Sequence, residues 1–334
     1  MGTRRLPIAV LLALALLALA APGAGATPAR FFSWDSPWNR QVAPTAALDP
    51  GSSEAVGALY REVQRELAAS EGPGIAATYN SVPIYEVPAS QPTVPIQLVS
   101  RWRVPSLESA WSAVPLPASA QAAPGNDRHL LVWQPSTDRL WEFWHLAKTV
   151  SGWQAEWGGA MEHASTSSGV YGSSSWPGAD GTWGATASSF SLAGGLITLE
   201  DLAAGEINHA LAIALPRVRA GTFAAPAARS DGNSWVGTSL PEGARLRLDP
   251  TLELWRLHLP PLTLMLARAA QRYGIYVRDV AGTVTFYAQD PAPTGTDPYY
   301  GPGGYFEDTY PARLLASFPW KRLQLLSMQL TAMR

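Results

Sequence analysis

Leu130-Leu131-Val132-Trp133-Gln134-Pro135-Ser136-Thr137-Asp138-Arg139-Leu140-Trp141-Glu142-Phe143-Trp144-His145-Leu146 is the stretch whose reading decides the fold. Two runs rich in Leu, Val, Trp and Phe suit a pleated, half-buried surface, and Pro135 to Asp138 supplies turn chemistry between them, so the segment reads as a β-hairpin. Side chains alternate along a strand. Leu140, Glu142, Trp144 and Leu146 therefore share one face, and Trp141, Phe143 and His145 the other. A carboxylate at mid-strand among apolar neighbours must be paired or protonated.

Upstream, Val56, Leu59, Val63 and Leu67 recur at helical spacing until Gly72-Pro73-Gly74 stops them. From Ile75 onward short apolar runs alternate with Pro, Ser and Gly: Ile84 to Val87, then Val94 to Val99. Downstream, Trp153 to Trp157 reads as a strand and the Gly- and Ser-rich Gly158 to Ser175 as a long loop. Thr198-Leu199-Glu200-Asp201 is a capping box opening a short helix, with Gly205 as its left-handed stop. Ile207 to Leu215 follows as a strand, with Ala244 to Leu248 as its candidate partner. Pro260-Pro261 introduces a helix with an apolar stripe at Leu262, Met265, Leu266, Ala269 and Tyr273, closed by Gly274. Ile275 to Val277 and Val284 to Tyr287 are strands flanking a turn. With no βαβ rhythm and no repeat, the pattern predicts a mainly β chain: an antiparallel two-sheet sandwich, jelly-roll-like, with one or two packing helices.

Arg4-Arg5, the apolar run Leu6 to Ala20 and Ala24-Gly25-Ala26 have the layout of a secretory signal. The run is shorter than the ~20 residues that span a bilayer. The expectation is cleavage after Ala26, a secreted protein with no membrane span, and one mainly β domain over 27–334 with an N-terminal helical stretch and a C-terminal extension. Lys and Arg number 24 against 26 Asp and Glu; without Arg4 and Arg5 the balance is 22 against 26, or −4. That excludes a nucleic-acid partner held by bulk charge. The chain has no Cys, which removes disulfides, zinc–cysteine sites and thiol nucleophiles.

Several blocks recur together in one order: Asn126-Asp127-Arg128-His129, Leu140-Trp141-Glu142-Phe143-Trp144, Trp157-Gly158-Gly159, Trp183-Gly184-Ala185-Thr186-Ala187-Ser188, Gly205-Glu206-Ile207-Asn208-His209-Ala210-Leu211, Glu242 to Pro250 and Arg272 to Asp279. From Ser36 to Asp290 the chain resembles a family of secreted proteins from actinobacteria and other soil bacteria. The resemblance implies export and one continuous domain, and carries no catalytic residue.

Chemistry is read from residue types. Ten of the fourteen Trp lie between Trp102 and Trp235, and indoles pack on the flat C–H faces of sugars while offering an N–H donor. Glu142 is a candidate acid or nucleophile, with Glu156 as a second carboxylate; a structural ion pair with Arg245 or Arg247 is the plain alternative. His129 and His209 are candidate bases, and Arg128 a candidate anion binder, as a polysaccharide lyase would need. The expected substrate contacts are Arg128, Trp144, Trp157 and Trp183. No Walker, dinucleotide or Gly-x-Ser-x-Gly motif occurs, so no cofactor is expected. Asp127-x-His129 with His209 or His163 is too loose to predict a metal, and structural calcium in the acidic C-terminal loops stays an open alternative. The sequence thus points to a secreted protein that cleaves a polysaccharide or cell-wall glycan in an aromatic-lined groove. The alternative is a non-catalytic glycan-binding or cell-envelope protein on the same fold.

Overall fold

Leu211-Ala212-Ile213-Ala214-Leu215 is buried along its whole length, and its alternation divides the interior in two. Leu211, Ile213 and Leu215 enter one apolar cluster, Ala212 and Ala214 the other, as a period of two requires. The computed structural model describes residues 31–306 and 309–333; the leader read at 1–26 lies outside them.

Counting the strands of the two larger sheets in chain order gives β1 (Gly74–Ala76), β2 (Val82–Glu86), β3 (Leu130–Gln134), β4 (Arg139–Trp144), β5 (Trp157–Glu162), β6 (Leu211–Leu215), β7 (Arg245–Leu248), β8 (Ile275–Val280), β9 (Thr285–Tyr287), β10 (Gln289–Asp290) and β11 (Leu323–Leu325). A six-stranded sheet runs β1-β9-β6-β8-β7-β11 and a five-stranded sheet β10-β2-β3-β4-β5. The hairpin is formed as read, with Leu130 opposite Phe143 and Gln134 opposite Arg139, and Asp138 takes the left-handed turn position.

The chain is mostly strands in mixed sheets, with five α-helices among the described residues. The expected antiparallel pairing throughout is corrected. β6 runs parallel to β8, β1 to β9, and β3 to β2. Parallel neighbours need a crossover, and the one joining β6 to β8 is the long segment between Leu215 and Ile275. It carries the predicted helix, Pro261–Arg272, and its length hides the crossover from any local rhythm. For the same reason Arg245–Leu248 pairs with β8 and β11 rather than with β6.

The predicted N-terminal helix spans Ser52–Ala69. It and the Pro261 helix bring Val56, Leu59, Val63, Leu262 and Leu266 to the Leu/Ile side of the six-stranded sheet. The apolar C-terminal stretch belongs to that cluster too, through Leu315, Phe318, Trp320, Leu323 and Leu325, so it is core. Trp153 to Trp157 is two strands, not one: Gly152–Ala155 pairs with Ile96–Leu98 and Ala147–Thr149, while Trp157 begins β5. The glycines after it continue the sheet. A Cβ on Gly158 would stand 2.0 Å from the Glu142 carbonyl oxygen, and one on Gly159 2.4 Å from the Tyr171 ring. They are the cost of close packing inside a strand, not the mark of a loop.

The sheet edge at β7 and β11 is fastened by an ion pair. Asp249 accepts from Arg322 at 2.5 Å and from the Thr251 hydroxyl at 2.7 Å, and these bonds, the Arg322 one foremost, hold its carboxyl down at about 2. A depressed carboxyl adds stability that is present above its ordinary value near ~4 and is lost as pH falls through the folded value. With Arg322 half-exposed, the contribution should be about 1 kcal/mol or less. Asp249→Asn is expected to lower the melting temperature slightly at pH 6 and by a shrinking margin toward pH 2. A margin as large at pH 2 as at pH 6 would contradict this assignment.

Candidate functional site

A cleft of about 780 Å³ opens where the ends of the two larger sheets meet. The five-stranded sheet contributes Trp144, the last residue of β4, and Trp157, the first of β5. These two stand directly opposite in the antiparallel register, so they project to the same side. Both line the cleft. The Trp157 indole N–H donates to the Thr182 carbonyl at 2.9 Å, and that of Trp144 to Asp127 Oδ1 at 3.3 Å. Trp144 also stacks on His145, ring centroids 3.6 Å apart at 19°. Tyr79 and Tyr287 add further aromatic lining, and Asp127, His129, Arg229, Asp231 and Asp279 the ionisable groups.

Two of the four substrate contacts expected from sequence, Trp144 and Trp157, are thus brought together. The other two are not in the cleft lining. Trp183 has no exposed surface and belongs to the core, because its chain segment folds back over the five-stranded sheet. Arg128 is exposed, in a left-handed conformation, and does not line the cleft.

The three candidate catalytic residues do not converge in the cleft. His129 lines it but is only 3% exposed. Its Nε2 lies 3.3 Å from the Ala185 carbonyl oxygen; a carbonyl only accepts, so Nε2 carries the proton and Nδ1 is a lone pair. Nδ1 is sealed from solvent without a partner. Burial first, with Arg278 and His145 behind it, pulls the imidazole down to about 4 against the attraction of Asp127. It is neutral across the ordinary pH range.

Glu142 is fully buried and holds a loop. Its Oε1 accepts from Ala185 N at 2.8 Å, and its Oε2 from the Ser191 hydroxyl at 2.7 Å and Leu192 N at 2.9 Å. Burial raises its pKa while these donors lower it. The alternative pairing with arginine is not formed: Arg245 donates to the carbonyls of Tyr273 and Arg40, and Arg247 to Gln324 and the carbonyls of Ala43 and Pro44. Glu156 is paired with His145, Oε1 to Nδ1 at 3.0 Å. His209 lies outside the cleft lining: its Nε2 is 3.0 Å from Asp201 Oδ2, on the capping-box residue of the Leu199–Ala204 helix.

The group that sequence reading missed is Asp231, Glu242 and Asp279. Each offers a carboxylate oxygen within 4.8 Å of the others. Asp279 lies in β8, Glu242 ahead of β7, and Asp231 in the segment between β6 and β7. Glu242 Oε2 accepts from Asp231 N at 3.2 Å, and Asp279 accepts from Val280 N at 2.9 Å and Ala187 N at 3.4 Å. Burial, then the neighbouring carboxylates, pushes Glu242 up to about 9; burial, then Asp231, pushes Asp279 up to about 7. Arg229 beside them is tied to the Gly184 and Thr186 carbonyls at 2.9 and 2.6 Å. An all-oxygen set of this kind can share protons or hold a hard cation. Nothing in local spacing links 231, 242 and 279. The one available signal was the charged pair Arg278-Asp279 on an otherwise largely apolar strand.

The structural role of Glu142 is separable from a catalytic one. Glu142→Ala would leave three donors unpaired in the interior and is expected to cost about 3–5 kcal/mol in urea unfolding. Glu142→Gln keeps an acceptor and should cost less, with the folded protein retaining whatever activity the native chain has. A glutamine variant of native stability but no activity would return Glu142 to the catalytic list. No family model, curated protein or solved structure matches the chain.

Proposed function

We propose that the protein is a secreted glycan-active enzyme that cleaves a polysaccharide or cell-wall glycan in this cleft. The observation that carries the reading is the union of a stacking surface with a carboxylate: Trp144 and Trp157 stand side by side, and Asp127 is fixed to the edge of the Trp144 indole. A sugar lying on the indoles through its C–H faces would present its glycosidic oxygen within the reach of Asp127. Asp127 serves as the acid–base carboxylate at the scissile bond. Asp279, from β8, and Asp231, from the segment between β6 and β7, add a second set of carboxylates to the lining. The same reading takes the two larger sheets as the layers of a sandwich with the cleft at their shared end, and the leader at 1–26 as the export signal.

Hydrolysis is favoured over elimination. An elimination site needs an accessible base, whereas His129 Nδ1 is enclosed and His209 belongs to another part of the fold. The accessible ionisable groups are mainly carboxylates.

The test is incubation of the purified protein with a panel of plant and bacterial polysaccharides, reading reducing ends and ultraviolet absorbance from unsaturated uronates. Reducing ends without absorbance are expected on at least one substrate. Asp127→Asn should lower kcat by about 10²–10⁴-fold, and Trp144→Ala should raise KM roughly tenfold. Binding without cleavage would leave the non-catalytic alternative, and absorbance together with reducing ends would replace hydrolysis by elimination.

A further inference from the structure

The geometry points to a calcium-binding site on the wall of the cleft, formed by Asp231, Glu242 and Asp279. This goes beyond the proposed glycan cleavage and holds whether or not the cleft cleaves anything. Three carboxylate oxygens lie within 4.8 Å of one another. Oxygens bound to calcium sit about 2.3–2.6 Å from the ion, so two of them stand at most ~5 Å apart. One ion between the three can therefore be reached by all of them without moving the backbone.

Clustering alone would not argue for an ion, since carboxylates can share protons. The second observation is Glu242. It has no exposed surface, its Oε2 is occupied by the Asp231 amide, and its Oε1 has no hydrogen-bond partner. Most buried side-chain oxygens in native proteins are paired, and an acceptor left bare on a residue of this carboxylate group is free to take a cation. The cations beside the cluster, Arg229 and Arg278, do not fill this role, because Arg229 donates to the Gly184 and Thr186 carbonyls and Arg278 to those of Leu192 and Gly194. When ionised, the three carboxylates carry more negative charge than Arg229 and Arg278 beside them carry positive charge, and a divalent ion would offset the excess.

The donor chemistry selects the ion. Oxygen-only ligation excludes a preference for zinc or copper. Calcium tolerates six to eight ligands in irregular geometry, while magnesium demands a near-ideal octahedron. Three carboxylates from three separate chain segments, with the side of Asp231 open to solvent, suit the looser ion. The remaining positions face the cleft, where water or a ligand's hydroxyl or carboxylate oxygens would complete the shell.

The experiment measures binding, not cleavage, so it fails independently of the proposed activity. Chelator-treated protein is titrated with terbium, whose luminescence is sensitised by nearby indoles; Trp144 and Trp157 line the same cleft. We expect one saturable site, displaced by calcium at lower concentration than by magnesium. We also expect calcium in hundredfold excess over its Kd to raise the melting temperature by roughly 5 °C. Asp231→Asn, at an exposed position that leaves the interior packing alone, should weaken terbium and calcium at least tenfold, and Glu242→Gln should do the same if it folds. No calcium-dependent shift in melting temperature, or terbium binding unchanged in Asp231→Asn, would overturn the site. A preference for magnesium over calcium would overturn it as well.

Discussion

The cleft depends on one buried carboxylate. Glu142, in the middle of β4, accepts three hydrogen bonds from the loop between Ala185 and Leu192 and so clamps that loop against the five-stranded sheet. The same loop reaches the other sheet: the Ser188 hydroxyl donates to the Arg278 carbonyl, the Ala187 amide to Asp279, and the Leu192 carbonyl accepts from the Arg278 guanidinium. Its carbonyls at Gly184 and Thr186 take Arg229, and that of Ala185 takes His129. A segment without regular structure thereby becomes the bridge between the sheets, because its backbone polar groups are paired with buried side chains. Buried ionisable groups of this kind hold a geometry at some cost in stability.

The six-stranded sheet makes room for the bridge. One face of β6 is leucine and isoleucine and packs under the helices; the other is alanine. Small side chains let the chain approach closely: a Cβ on Gly195 would meet the Ala212 amide at 2.5 Å. Trp38 then fills the space beside them, edge-on to Phe190 at 5.0 Å and to Tyr276 at 5.1 Å. The fully buried aromatics on this side provide the packing that a disulfide-free chain must find in its core.

What was legible in the sequence is what local periodicity encodes. The Leu130–Leu146 hairpin, the helices at Ser52 and Pro261 and the Thr198 capping box each declare themselves within a few residues. The stacking pair was legible in part, since Trp144 and Trp157 stood out as contacts, though not that one faces the other. Glu142 stood out as well, but alternation reveals only that a carboxylate is buried, not what satisfies it. Its partners are backbone amides and a serine more than forty residues downstream, which have no compositional mark. His209 misled for the opposite reason: its face is apolar in one dimension, yet its ring is turned to Asp201 at the start of a neighbouring helix. The Asp231, Glu242 and Asp279 cluster is assembled by a crossover, and a crossover has no short-range signal.

The charge of the cleft then constrains what it can hold. Asp127, Asp231 and Asp279 line it against Arg229 alone, and that guanidinium is already committed to carbonyls. Under the proposed glycan reading, these walls would repel a uronate and favour a neutral or amino sugar, because like charges brought together in a partly desolvated site are costly. A divalent ion on the three carboxylates would offset their charge and offer coordination positions to ligand oxygens, so that a uronate would no longer be repelled from that side. Substrate charge and ion occupancy are therefore linked. If the proposed glycan and calcium ion share the cleft, an anionic glycan would bind better with calcium and a cationic one better without it.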